Sequence, residues 1–107
     1  MTKVIERREN EVTDFIIDGH AEKVNPDEGN ILCAAVSMLG QTLLECLWRM
    51  DANVRTESRD GHIAVRLYPD DENSEEIENL LKFTKTGFCL LKSKYPEQFD
   101  LVGDFEF

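Results

Sequence analysis

Residues 30–50, NILCAAVSMLGQTLLECLWRM, decide the fold. Leu32, Val36, Leu39, Leu43, Cys46, Leu47 and Met50 recur at spacings of three and four, the period of an amphipathic helix. Asn30 suits an N-cap, so the helix is expected to start there. Some twenty residues make a rod about 30 Å long, enough to lie across a small sheet.

Strands are expected on both sides of this helix. Residues 12–18, VTDFIID, are β-branched and aromatic, and residues 2–8 suit an edge strand before the turn at Glu9-Asn10-Glu11. Residues 21–29 contain Asn25-Pro26 and Gly29 without a helical period and read as a loop. Downstream, residues 53–58 and 62–68 flank Arg59-Asp60-Gly61, a hairpin signal. In the second run Ile63, Val65 and Leu67 face one way, and Ala64 and Arg66 the other. A second helix is expected from Asn73 or Ser74, with Glu75 and Glu76 in its first turn and Pro96 ending it. Its apolar stripe is Ile77, Leu80, Leu81, Thr84, Phe88, Leu91 and Tyr95. Phe99 to Phe105 completes the order β-β-α-β-β-α-β. The fold class is α+β, one domain over residues 1–107, with a mostly antiparallel sheet packed by two long helices.

Composition narrows the function. Twelve Lys and Arg against 22 Asp and Glu give a net charge of −10, which repels phosphate backbones and argues against direct nucleic-acid binding. The same surface would attract a basic partner, or simply keep the protein soluble. The start turns charged before any apolar run, so no signal peptide is expected. No stretch is expected to span a membrane, and the chain reads as cytoplasmic. The three cysteines, Cys33, Cys46 and Cys89, are odd in number and widely spaced without a CxxC pair. Free thiols are expected rather than disulfides or a zinc site. The acidic clusters at 70–72 and 75–76 lack the alternation of a calcium loop and read as a solvated face. Neither metal nor cofactor is expected.

Two residues carry possible chemistry. With a helix start at Asn30, Cys33 falls in the first turn, where orphan N–H groups and the dipole favour an anion. A free thiol titrates near about 8.5, and a helix N-terminus or an imidazolium can lower that by several units. On the helical wheel Cys33 lies about 100° from the leucine stripe, on a flank shared with Ser37 and Gly40. Such a small-residue flank admits a substrate chain, or equally another strand, with Cys33 a packed thiol. Cys46 and Cys89 lie on or beside apolar stripes and read as core or half-buried. His20 follows Gly19 at a strand exit. It can be a general base for Cys33 across the loop, or an exposed turn residue. Gly19 and Gly29 bracket a loop that is either a hinged cover or a plain connection. His62 reads as a turn residue.

Gly19-His20-Ala21, a loop containing Gly29, and then Ile31-Leu32-Cys33-Ala34-Ala35-Val36-Ser37 resemble the ribosomal-processing cysteine protease family of bacteria. The two motifs occupy residues 19–37 at the family's interval. The resemblance implies an endopeptidase that removes the N-terminal extension of a large-subunit ribosomal protein, number twenty-seven. It implies Cys33 as nucleophile and His20 as general base. Gly19, Ala21, Gly29, Asn30 and Ser37 would contribute to the site, and backbone N–H groups near the helix start would hold the oxyanion. It implies a homodimer as well. Family members usually carry Asp where this chain has Asn30. An Asn orients an imidazole by hydrogen bonding but does not stabilise its charge. The rival readings are a non-catalytic acidic binding module for a basic ribosomal protein, and a redox sensor.

Overall fold

The computed structural model describes residues 1–19, 26–69 and 72–106, with 26–30 as helical backbone only. The elements run β1 (Thr2–Glu9), β2 (Val12–Asp18), α1 (Pro26–Arg49), β3 (Val54–Arg59), β4 (His62–Leu67), α2 (Ser74–Lys94) and β5 (Phe99–Val102). Five strands form one sheet in the order β3-β4-β2-β1-β5. All neighbours are antiparallel except β1 and β5. This is the expected α+β order.

Strand parity decides which face the helices cover. Val4, Phe15, Ile17, Ile63, Val65, Leu67 and Phe99 are buried, as are Leu32, Leu43, Leu44 and Leu47 of α1 and Ile77, Leu81 and Phe88 of α2. Both helices therefore pack on one face. The rings of Phe15 and Phe88 meet at 6.4 Å. The opposite face stays open, its central row running Val102, Ile5, Ile16 and Ala64 in register. Asp14 and Arg66 pair there through two hydrogen bonds of 2.8 and 3.1 Å. The guanidinium holds the Asp14 carboxyl below the usual carboxylate range.

Four local expectations are corrected. α1 begins at Pro26, not Asn30, so residues 26–29 are helix rather than loop. Proline suits the first helical position, where its missing N–H is no loss. β1 is not an edge strand, because β5 pairs along its outer side. β5 stops at Val102, short of Phe105. Finally, Ile31–Arg49 does have the length and apolar composition of a membrane span, with a mean hydropathy of 1.6. Its four buried leucines face the core, which accounts for part of that apolar content.

The β1–β2 turn is tight. Asn10 and Glu11 have φ of 51° and 66°, and Glu9 pairs directly with Val12. Positive φ at both central residues is the type I′ arrangement, for which Asn-Gly is the favoured pair. Glu11→Gly is therefore expected to raise stability by about 0.5–1 kcal/mol, read as a higher urea midpoint. A lower midpoint would mean that the Glu11 side chain contributes more than its backbone costs.

One polar cluster lies inside the apolar layer. Glu6 on β1 and Lys85 on α2 are buried, their side chains 1% and 4% exposed. Lys85 Nζ stands 2.8 Å from Glu6 Oε2, an oxygen that makes no hydrogen bond, and donates to the Asp104 carbonyl at 3.0 Å. Arg8 Nε donates to Glu6 Oε1 at 3.0 Å, and its two terminal nitrogens hold Glu78 at 2.8 and 2.9 Å. The guanidinium pulls the Glu78 carboxyl below its usual range.

Candidate active site

A cleft of about 510 Å³ opens between the first half of α1 and the end of the sheet. Cys33, Ala34, Val36, Ser37 and Gln41 line the helix side. Ser58 to Ile63, from the β3–β4 turn, line the far wall, and Thr2, Ile17 and Gly19 complete the lining. Cys33 is half-buried and Ser37, one turn on, is exposed. Gln41 Nε2 donates to Ser58 Oγ at 3.3 Å, a bond that bridges the two walls.

Gly40 sets how closely the helix approaches the sheet beside this cleft. A Cβ there would lie 2.5 Å from Ile63 Cδ1 and 3.2 Å from Ile17 Cδ1. The small-residue flank thus has two uses. Its Gly40 part admits strand side chains, and its Cys33–Ser37 part faces open space.

Of the residues singled out from the sequence, Gly19, Cys33 and Ser37 come together around the cleft. Gly29 and Asn30 lie within the N-terminal turns of α1, so Gly29 is not a loop hinge and Asn30 is not the N-cap. His20 and Ala21 lie outside the described residues, as do Asp70 and Asp71 of the acidic stretch. Glu75 and Glu76 sit exposed in the first turn of α2. Cys46 and Cys89 are half-buried thiols away from the cleft lining.

The earlier helix start changes the chemistry expected of Cys33. It lies seven residues after Pro26, so its N–H belongs to the helical ladder rather than to the orphan donors of the first turn. The dipole's influence fades beyond that turn. Activation of this thiol would call for a proton acceptor from outside the helix; Gly19, which lines the cleft, precedes His20 in the sequence.

His62 is not a turn residue. It opens β4, and its Nδ1 lies 2.8 Å from Asp18 Oδ1. It shares the parity of Ala64 and Arg66 and pairs with Asp18, and it also lines the cleft at its hairpin wall. The alternation through 62–68 carried that information. The pairing with Asp18 required the strand order.

Comparison with known proteins gives the family and the fold. The model of the family described as Cysteine protease Prp matches residues 1–100, and the chain belongs to that family. Among curated proteins none matches. A ribosomal processing protease Prp from S. aureus, solved with a covalently linked product peptide, superposes with a TM-score of 0.76 at 24% identity, covering 96% of this chain and 100% of that one. The S. aureus protease with a substrate peptide gives a TM-score of 0.77 at 21% identity over the same shares. SMU.848 from Streptococcus mutans gives 0.72 at 22% identity, covering 95% and 93%. At these identities the three structures establish a shared fold.

Proposed function

We propose that this chain is a cysteine endopeptidase acting through a Cys33–His20 dyad, and that it trims the N-terminal extension of large-subunit ribosomal protein twenty-seven during ribosome assembly in the cytoplasm. The observation that carries the reading is a half-buried thiol on the wall of a peptide-sized cleft that Gly19, the residue before His20 in sequence, also lines.

The chemistry balances within those two side chains and the substrate. His20 takes the Cys33 proton, and the thiolate adds to the scissile carbonyl. Collapse expels the amine, which takes the proton from His20, and leaves a thioester. Water, deprotonated by His20, then hydrolyses the thioester and restores the thiol. No cofactor enters. Because the helix interior has no free N–H beside Cys33, the oxyanion donors must come from another segment.

The substrate assignment draws on the family and on the S. aureus protease, which was solved with substrate and product peptides. A net charge of −10 favours a basic, extended segment by long-range attraction. Homodimerisation draws support from the exposed apolar residues Ile31, Met38 and Trp48 on α1 and Phe83 and Leu90 on α2.

The test is mass spectrometry of a synthetic peptide spanning the native N-terminus of that ribosomal protein, incubated with free and with iodoacetamide-blocked protein. One defined cut is expected from the free protein and none from the blocked one, with the initial rate falling as salt rises. A rate flat in salt would remove the electrostatic steering and leave the chemistry. No cut, together with a Cys33 slow to alkylate, would replace the protease by the acidic binding module.

A further inference from the structure

The segment that delivers His20 leaves the sheet at a point held from several sides. Gly19 N–H donates to the Gly61 carbonyl at 2.8 Å. Gly19 has φ of +104°, and a Cβ built on it would lie 2.3 Å from the Met1 carbonyl oxygen. No other residue fits there without strain, because both the dihedral and the space exclude a side chain. One position earlier, Asp18 Oδ1 accepts from His62 Nδ1 at 2.8 Å. Consecutive residues of the hairpin, Gly61 and His62, thus grip consecutive residues of the β2 exit, Gly19 and Asp18, by one backbone bond and one side-chain bond.

The side-chain bond is well placed to be rigid. Asp18 and His62 are direct cross-strand partners, and the His62 side chain is 17% exposed. An ionised carboxylate only accepts, so the bonded His62 tautomer carries its proton on Nδ1. The same row places Lys3 beside Asp18 and Arg59 beside His62, and Lys3 Nζ lies 4.0 Å from Asp100. Nothing in the chemistry proposed above uses either Asp18 or His62.

We propose that Asp18 and His62 are positioning residues: their hydrogen bond fixes the β2 exit, and with it Gly19, the residue before His20 in sequence, against the β3–β4 turn on the wall of the Cys33 cleft. This rests on the Cys33–His20 reading. A base misplaced by even an ångström costs rate while binding is kept, so the signature is a loss in kcat rather than in KM.

Full-length His62→Ala, His62→Asn and His20→Ala are compared on the synthetic peptide and by iodoacetamide labelling of Cys33 at pH 7, located by peptide mapping, below every variant's melting transition. The Asn amide N–H takes the place of Nδ1–H and keeps the bond to Asp18. His62→Ala is expected to lower kcat about tenfold with KM within about twofold, and to slow Cys33 labelling by a similar factor. His62→Asn is expected to restore both to within about twofold of the parent protein. Parent-like kcat and labelling in His62→Ala, with His20→Ala impaired, would overturn the positioning role alone. An equal loss in His62→Ala and His62→Asn would overturn it too, since shape and not the hydrogen bond would then matter. Unimpaired cleavage and labelling in His20→Ala would overturn the dyad, and the positioning role with it.

Discussion

Cys33→Ala is expected to cleave the peptide at least ~10⁴-fold more slowly than the parent protein and to fold as well as it does. In the proposed chemistry the thiol supplies the bond-forming atom, and no other described residue of the cleft offers a thiol. Its structural contribution is small. Cys33 is half-buried, it lies beside the core rather than in it, and alanine is the better helix former. The stability change should stay within about 1 kcal/mol. The paired measurements are mass spectrometry of the peptide and a thermal unfolding curve. A comparable rate from Cys33→Ala would refute the nucleophile. Cys46 and Cys89 offer no replacement, since neither lines the cleft.

The second large effect concerns stability. Lys85→Met leaves the Glu6 carboxylate buried without its nearest cation, and breaking a buried pair from one side costs about 3–5 kcal/mol. Arg8 still reaches Glu6 Oε1, which favours the lower end of that range. Adding Glu6→Gln removes the stranded charge. The double variant should recover a large part of the loss, a coupling that a double-mutant cycle in urea measures directly. A single-variant loss under about 1 kcal/mol would show that water or a side-chain rearrangement satisfies Glu6 once Lys85 is gone.

This buried pair marks the limit of what the sequence disclosed. Periodicity carries burial well where the buried residue is apolar. The strand parity of 62–68 and the stripe of α2 both read correctly. Glu6 and Lys85 look like surface residues by type, although Glu6 shares the parity of Val4 and Lys85 follows Leu81 by four residues; the closeness of β1 to α2 is what pairs them inside. The start of α1 failed for a different reason. Pro26 and Gly29 were read as breakers, whereas proline is tolerated at the first turn and a single glycine costs a helix only about 1 kcal/mol. At the site, residues 19–37 carried the near wall, Gly19 through Cys33 to Ser37. The far wall, Ser58 to Ile63, was invisible because packing and not sequence spacing brings the hairpin opposite the helix. The Asp18–His62 bond was hidden likewise, since it depends on β2 and β4 being neighbours.

The place of β1 between β2 and β5 bears on how the chain is made as well as how it stands. Synthesis delivers β1 and β2 early, and their hairpin is local and fast to form. The outer edge of β1 must wait for Phe99–Val102, which is made after both helices and the other strands. Until then a nascent chain presents an open strand edge and an incomplete core, without Phe99. The sheet closes by joining β1 to β5, so β1 stays unpaired on that side until every other described element has been made. A chaperone that shields the β1 edge during elongation would act at the step where this molecule is most exposed to mispairing.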